Sequence, residues 1–232
     1  MSPVWRRRLL ALAVLTLVLV LGYTLWLRDS SLFAVDEVKV EGATTNQEQI
    51  TAALEQTLDG MTTLHIRDDE LRDAVAGFPT VASIRADASL MHSVTITITE
   101  RLPVATVDAG GEQLVVSAEG YVLTGISAEG ALPPIEAAVE GARLDPDGAS
   151  QAAIVGAAPA ELRERINSGS WDPERGGVVI DLEGAPELRF GDADRAETKW
   201  RALVTVLSDE KLGAPAYVDV SVPERPVAAG TP

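Results

Sequence analysis

The chain has 232 residues, no cysteine, 46% hydrophobic residues and 23% charged residues, a composition that folds into one or two small domains. The first 28 residues hold four arginines and no acid, so the rest of the chain carries 15 basic and 35 acidic side chains, a net charge of −20. Such an acidic surface repels phosphate backbones and argues against nucleic acid as a ligand, and the absence of cysteine excludes disulfides, thiolate catalysis and zinc–thiolate sites.

The N-terminal segment joins a basic cluster to a long uncharged run. Arg6, Arg7 and Arg8 precede Leu9–Leu27, which contains no charged residue over 19 positions. A helix of that length spans about 28 Å, close to the ~30 Å hydrocarbon core of a bilayer. The run therefore predicts a transmembrane helix, and the arginines predict a cytoplasmic N-terminus. A cleaved secretory signal is the alternative, but its apolar region is shorter and ends in small residues, unlike Leu25–Arg28.

The next 70 residues predict the order strand, helix, helix, strand, strand. Val35–Val40 is a β-branched run, and Thr45–Glu48 has the spacing of a capping box at the start of a helix that ends at Gly60. A second helix begins with acids at Asp68 and ends before Pro79. Strands follow at positions 81–86 and 94–99, the latter alternating apolar residues with threonines, which is typical of a sheet with one buried face and one wet face.

The second half predicts a mixed β domain with helices. Ala152–Ile166 is a helix interrupted by Pro159, and Val178–Phe190 is a hairpin. A further helix, capped by Asp192 or Asp194, has one apolar face. That face is formed by Ala196, Trp200, Leu203, Val204 and Leu207.

The last predicted strand runs from Tyr217 to Val222. Its alternation directs Val218, Val220 and Val222 to the core and Tyr217, Asp219 and Ser221 to solvent. If this strand lies at a sheet edge, its backbone groups can accept a strand from another chain by β-augmentation.

Several segments resemble the FtsQ/DivIB family of bacterial cell-division proteins. Phe33–Gly42 is similar to the family's entry strand, Phe78–Val81 to the link into its second strand, and Glu100–Ala105 to its E-R-x-P-x-A segment. Leu114–Leu123 resembles its hairpin around a D-x-x-G turn, with Ser117 in place of the aspartate, and Leu132–Ile135 resembles its L-P segment. The chain departs from the family at Leu90–His92, where many members have tryptophan or proline.

The resemblance implies a single N-terminal transmembrane helix followed by an α+β ectodomain, made of a POTRA domain and an FtsQ-type β domain. The resulting division of the chain is a cytoplasmic tail at 1–8, a transmembrane helix at 9–27, a linker at 28–32, a POTRA domain at 33–102, a β domain at 103–222 and a flexible tail at 223–232.

By resemblance, the protein is a non-catalytic scaffold of the divisome, anchored by one span in the bacterial cell membrane at the division septum. The implied partners are an FtsB/DivIC-like and an FtsL-like single-span protein, with septal peptidoglycan synthases as further partners, and no cofactor or small-molecule substrate. The implied binding residues are Tyr217, Val218, Asp219, Val220, Ser221 and Val222, with Trp200 on the preceding helix. Val35–Val40 is a candidate edge for other division proteins.

Other functions find less support in the residues. His65 and His92 have no ligand-type neighbours at metal-binding spacing. Ser208–Lys211 has the S-x-x-K spacing of penicillin-recognising enzymes, but the K-T-G motif is missing from the sequence. A POTRA-type protein-export component of the outer membrane needs many alternating strands after its POTRA domain. An anchored cell-envelope hydrolase stays open, because paired carboxylates cannot be located from one sequence.

Overall fold

The computed structural model describes residues 3–23, 30, 33–89, 92–127, 132–209 and 213–230. The chain divides into two compact units, Met1–Glu100 and Arg101–Pro232. Each unit has its own hydrophobic core.

The first helix, α1, spans Pro3–Gly22 and contains Arg6, Arg7 and Arg8. Its apolar side chains from Leu12 to Tyr23 are exposed at consecutive positions and therefore on every face of the helix. Among the described residues, no helix has both the length and the apolar character needed to cross a bilayer. The predicted span Leu9–Leu27 is described only as far as Tyr23.

The rest of the first unit has the predicted order of elements. Its elements are β1 (Glu37–Glu41), α2 (Gln47–Leu58), α3 (Asp68–Val75), β2 (Val81–Ala88) and β3 (Ser93–Glu100). The sheet order is β1-β3-β2, with β1 parallel and β2 antiparallel to β3. The alternation in β3 is confirmed: its apolar residues Val94, Ile96 and Ile98 are buried in the core that also takes Ile50, Leu54 and Leu71 from the helices.

The predicted capping box is wrong. Helix α2 begins at Gln47, its N-cap Asn46 is left-handed, and the cap residue makes no side-chain hydrogen bond. Instead, the Glu100 carboxylate at the end of β3 accepts hydrogen bonds from the Thr44 hydroxyl (2.5 Å), the Thr44 N–H (2.8 Å) and the Thr45 N–H (2.9 Å). A residue 55 positions away thus holds the loop before the helix, which local spacing cannot reveal.

In its described residues, the second unit contains an eight-stranded sheet and three helices. Its strands are β4 (Pro103–Asp108), β5 (Gln113–Ser117), β6 (Pro134–Ile135), β7 (Val139–Glu140), β8 (Arg143–Leu144), β9 (Ile166–Asp172), β10 (Gly177–Leu182), β11 (Glu187–Gly191), β12 (Tyr217–Asp219) and β13 (Val227–Ala229). The helices are α4 (Pro146–Gly156), α5 (Ala160–Arg163) and α6 (Ala196–Leu207).

The large sheet runs in the order β13-β12-β11-β10-β9-β6-β4-β5, while β7 and β8 form a separate hairpin. Alternate residues of the central strands, such as Val178, Ile180 and Leu188, are fully buried in the core together with residues of α4 and α6. The helical region predicted over Ala152–Ile166 lies earlier in the chain: α4 starts at Pro146, where its N-cap Asp145 accepts from the Gly148 N–H at 3.1 Å, and Ile166 already belongs to β9. Pro159 separates α4 from α5, as predicted.

Candidate partner-binding edge

Strand β12 covers the first three residues of the strand that the sequence predicted over Tyr217–Val222. It pairs in parallel with β11, in a register that places Val218 beside Leu188 and Asp219 beside Arg189. Val218 and Val220 are fully buried, as predicted. The strand ends at Asp219, whose carboxylate accepts a hydrogen bond from the Ser221 N–H at 2.8 Å and so turns the chain.

The prediction that Val222 faces the core is wrong. Because the chain turns at Asp219, the alternation of the strand does not continue, and Val222 is 51% exposed. Ser221 is exposed, as the sequence predicted, but it lies in the turn and not in the strand.

The prediction that Tyr217–Val222 is the last strand is also wrong, and the condition for strand addition to it, a position at the sheet edge, is not met. Strand β13 pairs antiparallel with β12, with Tyr217 opposite Ala229, Val218 opposite Ala228 and Asp219 opposite Val227. In the part of the chain that the structure describes, β13 is therefore the terminal strand at this end of the sheet. It falls within 223–232, the segment predicted to be a flexible tail. The short apolar run before Gly230 was its only sequence signal.

The outward face of this edge carries a charged and aromatic network. The Arg189 guanidinium lies over the Tyr217 ring, 3.8 Å from its centroid, and the Arg189 Nε donates to the Glu187 carboxylate at 2.8 Å. The same carboxylate oxygen accepts from the Arg175 Nε at 3.1 Å. Arg175 also binds Asp172, and this hydrogen bond lowers the pKa of the Asp172 carboxyl. Tyr217 was among the binding residues that the sequence predicted, whereas Arg189, Glu187, Arg175 and Asp172 were not; the outward alternation of Glu187 and Arg189 was the available signal.

Trp200 does not belong to this surface. Its side chain is 1% exposed, its ring packs on Phe190 with centroids 4.6 Å apart, and its indole N–H donates to the Ile154 carbonyl oxygen at 2.8 Å. Trp200 therefore cannot contact a partner in this fold, and its inclusion among the binding residues is corrected. Its position on the apolar face of α6 indicates a core role.

Neither predicted cap, Asp192 or Asp194, caps α6, and Asp192 has another role. The N-cap is Arg195, which makes no side-chain cap bond, and the Asp192 carboxylate instead accepts from the Lys199 ammonium at 2.6 Å. The Lys199 side chain is 2% exposed and also donates to the Asp192 carbonyl oxygen at 2.9 Å. The hydrogen bond from Lys199 lowers the pKa of the Asp192 carboxyl.

The turn after β12 is tied to the loop before α6. Arg195 forms an exposed ion pair with Glu224, and the Val220 N–H donates to the Arg189 carbonyl oxygen at 2.8 Å. These contacts hold the 220–224 segment against β11 and the β11–α6 connection, and they precede β13 in the chain.

The histidines are placed in the first unit. The His92 Nδ1 lies 2.9 Å from the Ala34 carbonyl oxygen and 3.5 Å from the Asp36 carboxylate. Among the described residues, no group of three or more His, Cys, Asp or Glu side chains could hold a metal ion. Lys211 of the S-x-x-K spacing lies outside the described residues.

Comparison with known families matches both units. Residues 33–101 match the POTRA domain of FtsQ type, and residues 105–221 match the C-terminal domain of the cell division protein FtsQ/DivIB. The chain belongs to the FtsQ/DivIB family. No curated protein matches it.

Membership in the FtsQ/DivIB family makes this a cell-division protein, and its two family domains are α+β. The match to the C-terminal domain ends at Ser221 and so includes β12 and the turn that follows it. Strand β13 lies beyond the matched residues.

Proposed function

We propose that the protein is a non-catalytic, single-span scaffold of the divisome that holds an FtsB/DivIC-like and an FtsL-like partner and thereby helps control septal peptidoglycan synthesis. The family is one of division scaffolds, which supports the general role. The observation that carries the specific role is the open end of the large sheet, where a short terminal strand and an exposed turn lie beside a buried strand of the family domain.

The partner side of the proposal rests on backbone pairing. A terminal strand offers its N–H and C=O groups to a strand from another chain, and pockets beside it select the side chains. The Arg189–Tyr217 pair and the Glu187 carboxylate add an outward polar face that distinguishes this end of the sheet. The candidate contact residues are Tyr217, Asp219 and Ser221 around β12, joined by Val227 of β13.

The membrane side of the proposal rests on α1. Apolar side chains exposed on every face of a helix require an apolar environment. We propose that the run Leu9–Leu27 supplies the anchor, with Arg6, Arg7 and Arg8 on the cytoplasmic side and residues 33–232 outside the membrane at the septum.

The test is site-specific photo-crosslinking in dividing cells, with the photoreactive residue at Ser221 or at Val227. Both residues are exposed at the proposed edge. The matched control is Gln113, an exposed strand residue of β5 at the opposite end of the same sheet. We expect capture of a small single-span coiled-coil protein from Ser221 and Val227 but not from Gln113. Equal capture from all three positions, or none from a folded and abundant protein, contradicts the proposal.

A deletion of residues 217–232 is a poorer test. It removes Val218 and Val220, both fully buried in the core of the second unit. Loss of partner binding would then follow from unfolding as well as from loss of the site.

A further inference from the structure

Strand β13 is weakly attached compared with its neighbour. The three residues of β13 are half-buried or exposed, Val227 is 49% exposed, and none of them belongs to the buried core of the second unit. By contrast, β12 is anchored by Val218, which is fully buried. Segments with few buried apolar contacts open locally at low free energy while the rest of the domain stays folded.

Few contacts retain β13 in its place. It pairs with β12 over three residue pairs, and beyond these the Ala216 N–H donates to the Ala229 carbonyl oxygen at 3.2 Å. The following Gly230 packs closely on Ala216, so that an added Cβ would come within 2.8 Å of the Ala216 Cβ. The ion pair between Arg195 and Glu224 that precedes the strand is exposed at both ends, where such pairs contribute little.

A different strand could pair with β12 more favourably than β13 does. Ala228 lies opposite Val218, so the two residues share the face of the sheet that is directed to the core, yet Ala228 is exposed and presents a single methyl group. Val227 lies opposite Asp219 and offers no polar partner to that carboxylate. A longer strand with a large apolar residue opposite Val218 would bury more surface there, and a basic residue opposite Asp219 would add a cross-strand ion pair.

We propose that β13 is a removable cover, and that an extended segment of the partner replaces it on β12. The incoming strand runs antiparallel to β12, as β13 does, with an apolar residue opposite Val218 and a basic residue opposite Asp219. This inference rests on the proposed function, and it concerns how the edge is made available. The turn at Asp219–Ser221 and the buried side of β12 stay in place during the exchange.

The direct test locks the cover with a disulfide in the full chain. The protein has no cysteine, so the double variant Asp219→Cys/Val227→Cys introduces the only pair, at residues that lie directly opposite each other on the two strands. We expect the oxidised variant to recover the single-span partner at least about tenfold less well than the same sample after reduction. The single variant Asp219→Cys controls for loss of the carboxylate.

The outcomes separate this inference from the proposed function. Recovery only after reduction supports both. Equal recovery before and after reduction overturns the exchange of strands, while the proposed binding of the partner still holds. No recovery by the unaltered chain overturns the proposed function and the exchange with it.

A second variant is designed to favour the detachment of β13 from β12, the opposite of the disulfide. Gly230→Val crowds Ala216 and loosens β13, so we expect partner recovery to rise several-fold. The control is Gly213→Val, which replaces a glycine of similar positive φ with nothing within 4 Å. If the partner instead adds outside β13, Gly230→Val lowers recovery, and that result contradicts the exchange.

Hydrogen exchange of the chain without any partner provides an independent measurement. We expect the amides of Val227–Ala229 to exchange at least about a hundredfold faster than those of Val178–Ile180 in the centre of the sheet, because β13 opens locally and β10 opens only with the domain. Equal protection in the two strands overturns the proposal.

Discussion

The indole N–H of Trp200 donates a 2.8 Å hydrogen bond to the carbonyl oxygen of Ile154 and so joins α6 to α4 inside the second unit. Phe190 of β11 lies against the same ring. One side chain thus connects two helices to the sheet that carries the candidate edge, although it does not reach that edge.

Trp200→Ala is expected to destabilise the protein by about 3 to 5 kcal/mol, because it leaves a large cavity and an unpaired carbonyl oxygen. Trp200→Phe keeps most of the volume and loses the hydrogen bond, at a cost of about 1 to 2 kcal/mol. Urea unfolding followed by circular dichroism measures both. The control Val204→Ala, on the same helix but 41% exposed, should stay within about 0.5 kcal/mol. Equal effects at Trp200 and Val204 would show that the ring is not a core element.

The pKa of Glu100 provides a pH-dependent prediction for the first unit. Partial burial acts to raise the pKa, but hydrogen bonds from the Thr44 hydroxyl and from the Thr45 and Thr44 amides outweigh it and hold the pKa below its ordinary value of 4.5. A carboxylate with a lowered folded pKa stabilises the fold fully above its unfolded pKa and loses that contribution as the pH falls through the folded value.

The loop 42–45 should therefore open more readily below about pH 4.5. We expect Glu100→Gln to destabilise the loop at pH 7 by about 1 kcal/mol and to flatten its dependence on pH. Hydrogen exchange of the loop amides measures both effects, with each observed rate compared with the intrinsic exchange rate at the same pH. Glu112→Gln removes one negative charge from an exposed loop and is the control. A pH dependence that survives in Glu100→Gln would contradict this role.

The elements that the sequence predicted well are those with periodic burial. The alternation of Val94, Ile96 and Ile98 and the break at Pro159 act over a few residues, and both appear in the structure. The loop held by Glu100 and the ion pair of Lys199 with Asp192 depend on folding across longer distances, so local spacing suggested caps in both places. The sequence predicted that the sheet ends at Val222, because Pro223 and Pro226 argue against a strand in the residues that follow. The three-residue strand β13 forms there only by pairing with β12, which local sequence patterns do not show.

Gly42 and Gly60 both have a positive φ, but only at Gly42 would an added side chain also collide with a neighbouring strand. The φ of Gly42 is +88°, and an added Cβ would lie 2.2 Å from the Ile98 carbonyl oxygen of β3. Gly60 has a similar φ of +79°, with nothing within 4 Å of its Cβ position. We expect Gly60→Ala to cost about 1 kcal/mol from backbone strain alone, and Gly42→Ala to cost about 2 kcal/mol more. Urea unfolding of the two variants compares them directly. Equal costs would mean that the β1–α2 turn moves away from β3 without penalty.

Removing Asp192 should cost more stability than removing Lys199, because the Lys199 ammonium is buried and the Asp192 carboxylate is exposed. Asp192→Ala leaves the ammonium buried with the Asp192 carbonyl oxygen as an acceptor, so we expect a loss of about 2 kcal/mol, moderated because the Asp192 side chain is 70% exposed. Lys199→Met fills the same space without a charge and should change stability by less than about 1 kcal/mol. The double variant should match Lys199→Met, because removing the carboxylate costs nothing once the ammonium is gone. Urea unfolding of the three variants gives the coupling, and additive effects would contradict it.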